Sequence, residues 1–209
     1  MNIFTQLIED LKSNKLTAAL TLIFAFTLSA CTNTPTHIIV APQLINTTPY
    51  TYKLDSNKKQ LNFVVIDNRV ASHVVQILRA NQAAQLFSSQ KHLKNTVSTT
   101  LRQAFKTQGL VLSINSNTEA DMNKLTVYID AALISVQQEA LKYKANNEII
   151  LRAVVSNKAQ TLTKTFTTKG NSNGPLSADL AVLERDFNQQ LGKLLVRILN
   201  NTELRAAIN

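Results

Sequence analysis

The sequence predicts an α+β domain: a meandering, mostly antiparallel sheet with two long amphipathic helices packed on one of its faces. Three observations carry that expectation. Runs such as "LNFVVIDNR" (61–69) and "LTVYIDAALISV" (125–136) alternate apolar and polar residues, the period-two mark of a half-buried strand. Two other stretches, 90–108 and 177–200, repeat apolar residues every three or four positions, the mark of a helix with one buried stripe. Strands apolar on one side only call for helices on that side only, which is the antiparallel α+β arrangement.

The elements follow in order. "HIIVAP" (37–42) reads as a short strand ended by proline, and 43–60 as a polar loop. In 61–69 the side chains of Leu61, Phe63, Val65, Asp67 and Arg69 share one strand face. "VVQIL" (74–78) is a shorter strand, read as its hairpin partner. The first helix carries Leu93, Val97, Leu101, Ala104 and Phe105 as its stripe, with Ser88 or Ser89 as cap and Gly109 as stop. "LVLSI" (110–114) is a strand. In 125–136 the apolar parity shifts near Ala132, which predicts a bulge there. A strand at 143–156 turns at Asn157-Lys158 into 161–169, one face of which is all threonine, and "GNSNGP" (170–175) reads as a break. Ser177 is the expected cap of the second helix, whose stripe is Leu180, Leu183, Phe187, Leu191, Leu194, Leu195 and Ile198; residues 202–208 add a short helical turn.

Residues 1–30 read as an export signal rather than as part of the domain. Residues 16–28 are almost wholly apolar, too short for a hydrocarbon core of ~30 Å that takes about 20 residues, and they follow Lys12 and Lys15. Small residues then lead to the only cysteine. Leu28-Ser29-Ala30-Cys31 resembles a bacterial lipobox, in which the sulfur of the cysteine receives a diacylglyceryl group, the chain is cut before it, and the new amine is acylated, commonly with palmitate. Leu28, Ser29 and Ala30 are then the cleavage context and Cys31 the lipidated residue. Several acyl chains anchor stably where one does not. Lipidation uses the single thiol, leaving none for a disulfide, a metal or catalysis. The expected organisation is a signal peptide (1–30), a lipidated cysteine with a polar tether (31–36), and one periplasmic domain (37–209). In the lipoprotein pattern an aspartate after the cysteine favours inner-membrane retention; Thr32 stands there, which implies the outer membrane.

The net charge of +9 belongs to the domain, since residues 1–30 hold two lysines and two acids that cancel. Such an excess suits anionic partners, and the envelope location argues against nucleic acid. The helix at 90–108 carries Lys91, Lys94, Arg102 and Lys106 with no acid among residues 89–108. Lys94, Arg102 and Lys106 are spaced in multiples of four and fall on one helix face. They are the candidate anion-binding residues, weighed against an ordinary solvated face. Residues 142–169 add a second basic stretch, with Lys142, Lys144, Arg152, Lys158, Lys164 and Lys169 against Glu148 alone.

These residues together resemble the YajG-type lipoproteins of Gram-negative bacteria. The lipobox, "IIVAPQL", "VVIDNR", "KTQGL", "LTVYIDA" and the final amphipathic helix stand in the order of that family, across nearly all of the mature chain. The chain departs from the family at Asn157-Lys158, where a glycine is usual. The resemblance implies an outer-membrane lipoprotein with no established activity, hence no catalytic residues to carry over.

The remaining patterns point to no reaction. His37, His73 and His92 share no metal-ligand spacing. Glycine is too scarce for a nucleophile elbow, and Glu119 and Asp121 fall in a polar loop. Asp67 and Arg69, two apart on one strand face, are either a partner contact or a structural ion pair; structural pairs are commoner. The expectation is therefore a non-enzymatic protein without metal or cofactor, beyond the acyl chains on Cys31. Its role would be envelope maintenance or assembly through an envelope protein partner, or alternatively binding of an anionic glycolipid or phospholipid by the basic helix face.

Overall fold

The computed structural model describes residues 35–45, 61–113, 123–157 and 160–208; Leu28, Ser29, Ala30 and Cys31 lie outside them. Along the chain run β1 (His37–Ile38), β2 (Leu61–Asp67), β3 (His73–Arg79), β4 (Gln85–Ser89), α1 (Leu93–Thr107), β5 (Leu112–Ser113), β6 (Asn123–Gln138), β7 (Lys142–Ser156), β8 (Thr161–Pro175), α2 (Leu180–Asn200) and α3 (Thr202–Ile208). The class is α+β, with three described helices and an eight-stranded mixed sheet.

The organising element is β6. One edge of this 16-residue strand pairs antiparallel with β7 along nearly its whole length, and β7 pairs antiparallel with β8. Its other edge is shared. The first half takes β2 in parallel, from Leu61↔Asn123 to Asp67↔Ile129; the second half takes β3 in parallel, from Val75↔Ile134 to Arg79↔Gln138. β5 adds in parallel to β2, β4 antiparallel to β3, and β1 in parallel to β4.

Two expectations are corrected here. The sheet is not mostly antiparallel: four of its seven strand pairings are parallel. And 74–78 is not the hairpin partner of 61–69; the two strands lie end to end along β6. Hairpin pairing is the default for neighbouring strands, but here a far longer apolar edge takes both.

Within β6 the register slips between Ile129 and Ala131, so Asp130 is the bulged residue. Leu125, Val127 and Ile129 face the core before it; Ala132, Ile134 and Val136 face the core after it. The parity shift read from sequence near Ala132 is this bulge. The core-facing strand residues meet Leu93, Val97, Leu101 and Phe105 of α1 and Leu183, Phe187, Leu191, Leu194, Leu195 and Ile198 of α2. Phe63 of β2 and Phe105 of α1 meet edge to face, centroids 5.7 Å apart. α1 ends at Gly109, whose φ of 85° suits glycine.

Further differences have local causes. Ser88 and Ser89 are strand residues of β4, and the N-cap of α1 is His92, which makes no side-chain capping bond. Asp179, not Ser177, caps α2, its Oδ1 accepting from the Ala181 N–H at 2.8 Å. Residues 170–175 do not break the chain: β8 continues to Pro175 because β7 offers a partner at every step, Asn147↔Gly170 through Lys142↔Pro175.

Candidate functional site

The point where β2 stops and β3 starts leaves residues 130–133 of β6 without a strand on that edge. Arg69 fills the gap. Its Nη1 donates to the Ala132 carbonyl on the open edge of β6 at 3.4 Å and to the His73 carbonyl at the start of β3 at 3.3 Å. Its Nε and Nη2 take the two oxygens of Asp67, each at 2.8 Å. The Arg69 side chain is only 7% exposed and that of Asp67 25%. Burial alone pushes the Asp67 carboxyl up and is the largest single influence on it. The hydrogen bonds and charge of Arg69, with the charge of Lys94, together outweigh burial and hold it below the ordinary carboxylate range. Asp67 and Arg69 thus splice two strands onto one edge.

The opposite sheet face carries a second pair that sequence reasoning missed. Asp130, the bulge residue, accepts from Arg152 Nε at 2.8 Å and Nη2 at 3.0 Å, and Asn68 Nδ2 reaches the same carboxylate at 3.4 Å. The Arg152 guanidinium lies over the Tyr128 ring, 4.2 Å from its centroid. The hydrogen bonds from Arg152 lead in holding Asp130 below its usual range, and Asp130 in turn raises Arg152. No described helix packs on this face, and Ile66 stands 39% exposed there. Only the β6–β7 register brings residues 130 and 152 together, so no local motif could have disclosed the pair.

A third construction grips the chain at residues 37–43. Residues 37–42 alternate exposed and buried, with Ile38, Val40 and Pro42 turned to the core. The alternate residues meet α2. The Ile39 N–H donates to Glu184 Oε2 at 2.7 Å; Asn188 Nδ2 donates to the Ile39 carbonyl at 2.9 Å while its Oδ1 accepts from the Ala41 N–H at 2.8 Å. At Gly192 a Cβ would stand 2.4 Å from the Gln43 carbonyl oxygen. Glu184, Asn188 and Gly192 are successive turns of one helix face. Eight helical residues rise ~12 Å and four extended residues ~13 Å, so strap and helix stay in step.

The basic row of α1 is divided. Lys91, Lys94 and Lys106 are exposed, but Arg102 is half-buried. Its Nη2 donates to the Phe63 carbonyl at 2.6 Å, its Nε to Ser98 Oγ at 3.3 Å, and it lies 5.2 Å from the Phe63 ring centroid. His37 bonds the neighbouring Thr36 hydroxyl at 2.8 Å, and among the described residues no three His, Cys, Asp or Glu are gathered as a metal site would need.

Residues 49–209 match the protein family described as "Uncharacterized lipoprotein". No curated protein matches the chain. Among solved structures, one described as an uncharacterized protein is similar at 12% identity and a TM-score of 0.46, covering 72% of this chain and 94% of that one. A neuraminyllactose-binding hemagglutinin homolog from Helicobacter pylori is similar at 10% identity and a TM-score of 0.45, covering 78% and 95%. The hypothetical protein CT253 from Chlamydia trachomatis gives 10% identity and a TM-score of 0.27, covering 69% and 95%.

Proposed function

The chain belongs to that lipoprotein family, and from this premise we propose that it is an outer-membrane lipoprotein of the YajG type, held by acyl chains on Cys31, whose periplasmic domain binds an envelope protein and catalyses no reaction. The observation that carries the binding reading is the sheet face without a described helix. There Arg152, stacked on Tyr128 and locked by Asp130, shares the face with the exposed Ile66, which stands across from Tyr128 on β2. Preorganised arginine and aromatic groups are the residue types that dominate protein interfaces. The carboxylates of Asp67 and Asp130 are each tied by two arginine hydrogen bonds, which suits scaffolding better than proton transfer.

The test is photo-crosslinking in intact cells from Ile66 and Val154 on that face, against Gln103 on α1 as control. A discrete protein adduct from the first two positions, lost on Arg152→Glu, is the expected result; adducts absent from both positions rule the reading out. The anchor is tested apart from this, by the mass of the N-terminal peptide: an unmodified Cys31 removes it.

A second reading, anionic glycolipid on the helix face, draws support from the exposure of Lys91, Lys94 and Lys106. It requires binding of lipopolysaccharide that weakens with salt and is lost when these three charges are reversed. Salt-independent binding eliminates it.

A further inference from the structure

Strand direction alone gathers several chain segments at one end of the sheet. β1 is parallel to β4, β4 antiparallel to β3, β3 parallel to β6, β6 antiparallel to β7 and β7 antiparallel to β8. The N-terminal end of β1, where the tether enters, therefore lies toward the same end as the β6–β7 turn and the exit from β8 into α2. At that turn Leu141 is 76% exposed, and just after β8 Leu176 is 66% exposed.

These two leucines are built into one knuckle. The Leu176 N–H donates to the Leu141 carbonyl at 2.8 Å. Gln138 ties the rest: its Nε2 donates to the carbonyls of Glu139 (2.7 Å), Lys142 (3.2 Å) and Leu176 (2.8 Å), and its Oε1 accepts from the Ala178 N–H at 2.9 Å. Leu176 has a φ of 61°, a left-handed conformation that is costly for a branched, bulky residue. A strained leucine held in water beside a second one adds nothing to the core. Lys142 and Lys144 flank the pair and are exposed, Lys142 facing Glu139 at 3.3 Å.

The length of chain between Cys31 and Thr36 bears on what this knuckle can meet. Thr36 lies beside Ser88, its carbonyl accepting from the Ser88 N–H at 3.3 Å. One step along, Phe87 pairs with Val75 and Val75 with Ile134, so the tether enters level with Ile134. From there to Gln138 is four strand residues, ~13 Å, with the turn a little beyond. Cys31 precedes Thr36 by five residues, which span ~17 Å at full stretch. That length allows an anchor at Cys31 to reach the level of the turn but little beyond it.

We propose that Leu141 and Leu176 are immersed in the bilayer that holds the acyl chains of Cys31, with Lys142 and Lys144 on the phosphates of anionic lipid headgroups. The inference rests on the lipid-anchored reading above. Immersion to the headgroup and acyl boundary, about 5–10 Å deep, suits side chains of this kind.

The test uses the full chain processed in cells, with Leu141→Cys, Leu176→Cys or Lys106→Cys as the free thiol, since acylated Cys31 is blocked. Each variant is labelled with a fluorophore and reconstituted into vesicles of phosphatidylethanolamine and phosphatidylglycerol bearing nitroxide lipids. An unfolding midpoint equal to that of the parent certifies each fold. Quenching at 141 and 176 several-fold stronger than at 106 is expected. Equal quenching at all three with an acylated Cys31 overturns the knuckle and leaves the anchor standing. An unacylated Cys31 overturns the anchor and this inference together. Shielding of 141 and 176 only on adding a second envelope protein assigns the knuckle to a protein and overturns the lipid contact.

Discussion

Replacing Arg69 with lysine keeps the charge and loses the fork. A lysine has one nitrogen for a task that Arg69 divides among Asp67, His73 and Ala132. Arg69→Lys is expected to lower unfolding stability by ~1–3 kcal/mol and Arg69→Met by more, as a partly buried carboxylate is left unpaired. Urea titration measures both. The two aspartates also set an acid limit. Asp67 and Asp130 have folded pKa values depressed below the unfolded ones, so their contribution is present above an unfolded value of about 3.9 and is lost as pH falls through the folded values. Stability should hold down to about pH 5 and decline below it; Asp67→Asn and Asp130→Asn should each cost stability at neutral pH and flatten the acid decline. The spacing Asp67-x-Arg69 was legible in the sequence as a pair on one strand face. Its splicing role was not, because that depends on where β6 changes partner. Asp130 and Arg152, 22 positions apart, offered no local signal at all.

Among the elements, α2 gives the sharpest test. Glycine in a helix interior ordinarily costs ~1 kcal/mol relative to alanine, so Gly192→Ala would be stabilising on propensity alone. The Gln43 carbonyl, 2.4 Å from the added Cβ, reverses the sign. Gly192→Ala is expected to destabilise by ~1–3 kcal/mol and to open residues 39–43 to proteolysis, whereas Ala181, exposed on the same helix, tolerates serine without either effect. Asn188→Ala removes both strap bonds and should give the same proteolytic signature with a smaller loss of stability. The helices and long strands were legible because their apolar periods are strong: the stripes of α1 and α2 and the alternation of β6 with its bulge. The strand Gln85–Ser89 was missed because it holds one pair of large apolar residues among glutamine and serines. The far half of β8 was missed because glycine and asparagine read as a turn until β7 is laid beside them.

At the scale of the molecule, a mixed sheet replaces the expected meander. The alternation of the long strands β2, β6 and β7 was legible, but pairing is a property of two distant segments, and period-two alternation carries no partner label. The division of labour between the two sheet faces follows from that pairing. One face is closed by helices; the other aligns Ile66, Tyr128 and Arg152 from three different strands. Tyr128 is half-buried, and Tyr128→Ala should lower the thermal midpoint by only a few degrees, since its ring lies outside the core between the sheet and the helices, while abolishing the crosslink from Ile66. A global loss of cooperativity in that variant would instead make the ring a structural support.

The shared edge of β6 also dictates an order of events. β2 and β3 both wait for a partner about 60 residues further along the chain, as Leu61↔Asn123 and Val75↔Ile134 require. A protein that emerges N-terminus first therefore presents two apolar strands before their template exists, and folding slows as such sequence-distant contacts come to dominate. In pulse-labelled hydrogen exchange, amides of β2 and β3 should gain protection together with β6 and never ahead of it. A chain halted after residue 122 should gain no more than the weak protection of the β3–β4 pairing, leaving its first half to be shielded by whatever escorts it until the template strand arrives.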